Sequence, residues 1–218
     1  MINISDLEVS FGRTRALTRI DLELRPVITG LFGPNAAGKS TLLRVLAALQ
    51  EFERGAVLYE GRPVSLGDEG FRRLVGYVGH DSGLYPGLTV RENLNLFARL
   101  YGVPSARVDG VIDELDLAPF AKLSVGALSA GYRRRAAVAR ALIHSPQILL
   151  LDEPYANLDD EASDRVSAAI RNWWSDGRYA VVASHGAKRV KAFADASIIL
   201  QQGRVVSYRV RLPEGVKA

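Results

Sequence analysis

The chain opens in a period of two. Ile2 and Ile4, then Leu7, Val9 and Phe11, alternate with polar neighbours, and Ile20, Leu22 and Leu24 alternate with charged residues between them. Successive side chains of a strand point to opposite faces, so both segments predict half-buried antiparallel strands. Val27–Phe32 is a short apolar run before a glycine and predicts a strand buried on both faces. The period then changes. Leu42, Leu46 and Leu49, with Leu43 and Val45 beside them, predict a helix over Lys39–Leu49. Val57–Tyr59 and Leu74–Val78 read as strands, with a turn at Gly61–Pro63.

The middle of the chain is helical. Thr89-Val-Arg-Glu92 is a capping box for a helix carrying Leu96, Phe97 and Leu100, which Gly102–Pro104 stops. A second helix covers about Ala106–Leu115. Ser129 caps a third that runs to Ile143, before Ser145-Pro146. Strands then return. Ile148–Leu151 ends in Asp152-Glu153-Pro154, and Glu161–Trp174 is a helix with Val166, Ile170 and Trp173 inward. Tyr179–Ser184 and Ser197–Leu200 are strands, and Gly203 turns the chain into Arg204–Val210. Strand–helix units therefore bracket a helical insertion at about 80–145. The pattern predicts an α/β fold with a parallel sheet, an antiparallel flank and an inserted helical lobe. We divide one domain, 1–218, into a core of 1–79 and 146–218 and a lobe of 80–145.

Composition narrows this. The chain has 218 residues, 48% hydrophobic and 24% charged, which excludes a disordered or low-complexity chain. With no cysteine, disulfides, zinc fingers and thiol chemistry are excluded. The formal charge of +4 suits anionic ligands or an acidic membrane surface without demanding nucleic acid. No apolar run approaches the roughly 18–20 residues that span a bilayer. Met1–Asp6 also lacks the basic start and apolar stretch of a signal peptide. The expectation is a cytosolic chain that reaches a membrane only through a partner.

Gly33-Pro34-Asn35-Ala36-Ala37-Gly38-Lys39-Ser40 matches G-x-x-x-x-G-K-[ST] and lies between a buried strand and a helix, the context that pattern requires. Glycines let the backbone turn its N–H groups toward phosphate oxygens, and a helix N-terminus adds partial positive charge. Lys39 is placed to reach the β- and γ-phosphates, and Ser40 to offer a hydroxyl to magnesium. Such a loop resembles that of P-loop NTPases, which implies a RecA-like parallel sheet as the core. Asp152 and Glu153 stand at the carboxyl end of a buried strand, the edge where open α/β sheets bind ligands. Asp152 would orient magnesium, and Glu153 would polarise the attacking water. His185 follows another strand on the same edge and could hydrogen-bond a γ-phosphate.

Two constellations say less on their own chemistry. Leu128-Ser-Ala-Gly131-Tyr132 before Arg133–Arg135 reads as an N-capped helix with a basic face, or as a second anion site. Ala156-Asn-Leu158-Asp159 reads as a loop and a helix cap.

These motifs in this order resemble the nucleotide-binding subunits of ABC transporters, over essentially the whole chain. The resemblance places Phe11 where an aromatic stacks on adenine, Gly33–Thr41 in the phosphate loop, and Leu128–Tyr132 in the signature. It places Asp159 in the D-loop and His185 at the switch. It implies ATP and Mg2+, and a head-to-tail dimer, homo- or heteromeric. There ATP lies between Gly33–Thr41 of one subunit and Ser129, Ala130 and Gly131 of the other. It also implies a transmembrane permease partner, no nucleic acid, a peripheral place on the cytoplasmic face of the membrane, and a lobe around 80–105 that receives the partner's cytosolic helices. The chain departs from the pattern at Ala36, Ala130, Tyr132, Ala156 and Asn157. It departs also at His80, where glutamine usually contacts magnesium; a neutral histidine there is expected to join Ser40 and Asp152 as a metal ligand. If position 36 needs a positive φ, alanine there costs about 1 kcal/mol. Gly79-His80, Leu128-Ser-Ala-Gly and a compact end at residue 218 resemble the ATP-binding subunit of the haem exporter of cytochrome c maturation. A soluble ATPase of the same fold, such as an iron–sulfur assembly factor, is the alternative.

Overall fold

The computed structural model describes residues 1–185 and 187–211. Its first sheet is antiparallel. β1 (Ile2–Phe11) pairs with β2 (Thr14–Leu24) on one side and β4 (Arg54–Tyr59) on the other, and β5 (Arg62–Pro63) closes the edge. The alternation in β1 jumps from Ile4 to Leu7 because Asp6 sits at φ +45° and shifts the register. Arg19, at φ +49°, makes the matching irregularity in β2. Ile4, Leu7, Leu17 and Ile20 therefore all stay buried.

The main sheet has the order β10-β9-β3-β8-β7-β6. Its members are β3 (Ile28–Phe32), β6 (Val75–Val78), β7 (Ile148–Asp152), β8 (Tyr179–Ala183), β9 (Ala196–Gln201) and β10 (Arg204–Val210). All its pairs are parallel except β9–β10. Strands buried on both faces serve two cores. Leu149 and Leu151 of β7 join Val90, Leu94, Val138, Leu142, Val166 and Ile170 in one. Ile148 and Leu150, alternate residues of the same strand, join Leu42, Leu43, Leu46 and the antiparallel sheet in the other.

Helix α1 (Lys39–Leu46) lies between the two sheets, and α6 (Asp160–Trp173) covers the opposite face of the main sheet. Between β6 and β7 the chain forms α3 (Val90–Tyr101), α4 (Ala106–Glu114) and α5 (Ala130–Leu142). The parallel sheet, antiparallel flank and inserted helices are those the hydrophobic pattern predicts.

Details differ. The helix expected to reach Leu49 ends at Leu46, because Ala48 turns to φ +55° and leaves Leu49 outward. In α3 the inward positions are Val90, Leu94 and Ala98, and Leu100 is exposed. The turn expected at Gly61–Pro63 centres on Glu60-Gly61, and Arg62–Pro63 already pairs as β5. Two short helices, α2 (Glu69–Arg72) and α7 (Ala187–Lys191), are too brief to show a periodic signal. Arg134 and Arg135, read as part of a basic helix face, are buried. They share the inward side of α5 with Val138 and Leu142.

The capping box at Thr89 is formed in both directions. Next to it, Asn93 is fully buried and organises the loop that leads into α3. Its side-chain carbonyl accepts from Tyr85 N at 2.7 Å, and its amide donates to Tyr85 O and Thr89 O at 3.0 Å and to Leu88 O at 3.3 Å. Asn93→Leu keeps the number and branching of side-chain heavy atoms and removes every one of these bonds. Buried backbone groups are left unpaired, at a cost of about 3 kcal/mol. Thermal unfolding should fall by roughly 10 °C, and a fall no larger than that of an exposed α3 substitution would refute this role.

Candidate functional site

Parallel pairing sets the carboxyl ends of β3, β8, β7 and β6 along one edge of the main sheet. After β3 the chain turns through residues 33–38 into α1. Gly38, the residue before α1, has φ +102°, and a Cβ there would lie 2.5 Å from Ala16 O, so only glycine fits. Ala36 takes φ +59° without being a glycine, a left-handed conformation that costs about 1 kcal/mol. Lys39, the first residue of α1, is buried and donates from Nζ to Gly33 O at 2.8 Å and Pro34 O at 2.9 Å. Its charge is folded into the turn rather than spread into solvent.

After β7, Asp152 is buried and Glu153 swings out at φ +51°. A non-glycine residue pays strain there, and Pro154 next to it disfavours departures from the extended region as well. After β8, His185 N donates to Glu153 Oε2 at 3.2 Å, and His185 Nε2 lies 3.3 Å from Glu153 Oε1.

Phe11, residues 35–41, Asp152, Glu153 and His185 line one cleft of about 330 Å³. Phe11 is half exposed at the end of β1, on the outer rim. A second cleft of about 940 Å³ shares Ser40, Asp152 and Glu153, and extends to His80, Ala130, Arg134 and Asn157. The structure thus gathers most of the expected residues, with Gly33 and Pro34 entering through carbonyls bonded to Lys39.

It does not bring the signature into the smaller cleft. Ser129 caps α5 by accepting from Tyr132 N at 3.4 Å, and Ala130 borders only the larger cleft. Gly131 packs on the D-loop, and a Cβ there would lie 2.7 Å from Asn157 O. Asp159 Oδ1 accepts from Ala162 N at 2.8 Å as the cap of α6. Tyr132 is accommodated within the helical elements, its ring 3.7 Å from that of Phe120 and 4.4 Å from the Arg135 guanidinium.

Sequence reasoning missed Arg134. Its guanidinium donates to the carbonyls of Gly79, Asp152 and Glu153. Burial pushes its pKa down, while Asp152, Glu153 and Tyr77 oppose that shift. The available signal was its place on the apolar stripe of α5.

Among the described residues, no three His, Cys, Asp or Glu side chains gather into a metal cage. Magnesium keeps several waters and takes one or two carboxylates plus phosphate oxygens, so a sparse site fits it. Ser40 and Asp152 supply hard oxygen donors on the wall shared by both clefts. His80 lines only the larger cleft and offers nitrogen, a poor ligand for magnesium, so the expected third metal ligand is not supported.

A phosphate loop between a buried parallel strand and a helix, with an acidic strand end and a histidine beside it, defines a P-loop nucleoside-triphosphate hydrolase. The sequence model of the ABC transporter family matches residues 17–156. Over 213 residues the chain is 31% identical to the Nod factor export ATP-binding protein I of Rhizobium etli, covering 94% of this chain and 67% of that protein. It is 33% identical over 184 residues to the ABC transporter ATP-binding protein NatA of Bacillus subtilis, covering 82% and 75% of the two chains. The ATP-binding cassette MJ0796, solved as a dimer in a post-hydrolysis state bound to ADP and Pi, superposes with a TM-score of 0.88 at 25% identity. That match covers 98% of this chain and 100% of the other. The chain belongs to the ABC transporter family, as an ATP-binding cassette that hydrolyses ATP and uses Mg2+. Among the described residues, no helix is long and apolar enough to cross a membrane.

Proposed function

We propose that this chain drives an export complex by hydrolysing ATP, attached to the cytoplasmic face of the membrane through a separate transmembrane partner. The observation that carries the chemistry is the Glu153–His185 contact in the same cleft as Lys39 and Ser40. Glu153 orients and deprotonates the attacking water, and His185 holds the γ-phosphate. Lys39 stabilises charge on the transferring group. Ser40 and Asp152 hold magnesium, which supplies charge neutralisation on the phosphates. His80 serves as a hydrogen-bonding residue on the larger cleft. Phe11 stacks on the base.

The signature lies off the smaller cleft of its own chain, which supports a head-to-tail dimer. Ser129, Ala130 and Gly131 of one copy then close over Gly33–Thr41 of the other, with Asp159 at the seam. Export is supported by the Nod factor relative. A groove of about 160 Å³ lined by Leu49, Phe97 and Tyr101, with exposed Leu100 nearby, supports a site for the partner's cytosolic helices. The pair Gly79-His80 and Leu128-Ser-Ala-Gly131 support haem as cargo and cytochrome c maturation as the process.

The test is affinity purification of the Glu153→Gln dimer, trapped with ATP, from detergent-solubilised source membranes. A co-purifying multi-span protein is expected, and a haem absorbance band in that sample would identify the cargo. Soluble partners alone would replace this reading with that of an assembly ATPase.

A further inference from the structure

We propose that Arg134 is a positioning residue that ties the backbone of Glu153 to the start of α5, so that the signature and the acidic strand end move as one body. This deepens the reading above and rests on it. Arg134 is buried, and its bonds run to main-chain carbonyls. Nε and Nη2 hold Glu153 O at 3.0 and 2.8 Å, Nη2 also meets Asp152 O, and Nη1 holds Gly79 O at 2.7 Å. One guanidinium thereby spans the ends of β6 and β7.

Its neighbours do other work. Arg133 donates to Leu128 O at 2.9 Å, and Arg135 to Leu115 O at 3.0 Å. Only Arg134 of the three reaches Glu153.

The clamp acts where the backbone needs it. Glu153 is left-handed and precedes proline, so neither its own Cβ nor its neighbour favours φ +51°. The direction of the carboxylate follows from that φ. A planar fork that reaches both the Asp152 and the Glu153 carbonyls holds the peptides on either side of the Glu153 Cα, which a compact ammonium cannot do. Arg134 also stands one turn beyond Ala130 on the same side of α5, and both border the larger cleft with Glu153. Nucleotide pressed against the start of α5 by a second copy would therefore be felt at Glu153 of the same chain.

The test uses the purified chain, once its MgATP turnover and the loss of that turnover in Glu153→Gln have been measured. If the parent shows no turnover, the proposed function fails and the role given to Arg134 fails with it, whereas turnover that Arg134 substitutions leave intact overturns the latter alone. With turnover established, Arg134→Lys and Arg134→Gln should each lower kcat by more than about tenfold. ADP affinity should stay within about threefold, and ATP should still drive dimer formation when either change is combined with Glu153→Gln. A smaller fall in kcat overturns the proposal. So does loss of ADP binding or of the dimer in step with kcat, which would make Arg134 a packing residue. Should Arg134→Gln not fold, Arg134→Lys decides by the same readouts; failure of both to fold assigns Arg134 to stability and also overturns the proposal.

Discussion

Glu153→Gln should lower ATP turnover by about a thousandfold while leaving nucleotide binding in place. The amide keeps the shape of the carboxylate and loses its ability to take a proton from water. The left-handed backbone of Glu153 and the bonds from Arg134 to its carbonyl do not involve the side chain, so the substitution leaves them intact. His185 N can still donate to the remaining side-chain oxygen at position 153. Steady-state phosphate release and equilibrium binding of ATP separate the two effects. A variant that retains more than about a tenth of parental turnover would remove Glu153 as the base and move attention to His185.

Lys39→Ala should abolish useful nucleotide affinity, by about a hundredfold or more, without unfolding the chain. Lys39 is buried at the start of α1, and its ammonium already bonds to Gly33 O and Pro34 O. On binding, its donors transfer from these carbonyls to phosphate oxygens, a stronger, charge-assisted pairing. Alanine removes that pairing, and water can satisfy the two carbonyls beside the open cleft. Calorimetric titration with ATP and a thermal melt decide the matter together. Unchanged affinity, or lost affinity with a collapsed melt, would sink the assignment.

How much of this was legible in the sequence varies with the physics of each element. β7 and β8 are apolar on both faces and could only be central strands. The phosphate loop carries its own geometry, since Gly38 answers to a positive φ and a close approach to Ala16 O. The positive φ of Ala36 was conditional in the sequence and is met in the structure. The break between Ile4 and Leu7 required a bulge that a period of two does not encode. Arg134 was hidden because a run of three arginines looks solvated, and only the helical phase against Val138 and Leu142 distinguishes it. On its own chemistry the signature was legible as a capped helix or a second anion site, without a choice between them. Its suggested role needs a second molecule, and the chemistry of one chain does not contain that.

The two faces of β7 have a consequence for how the molecule comes apart. Leu149 and Leu151 share a core with Leu94, Val138 and Leu142, while Ile148 and Leu150 share one with α1. Units of cooperative opening follow shared apolar contacts rather than chain order. Amide exchange in α3, far from β7 in sequence, should therefore keep pace with that in β7, and not with the solvent-facing antiparallel flank. The inserted helices are thus poor candidates for a fragment that breathes or is excised independently. Damage to them would be registered first as loosening of the strand that carries Asp152.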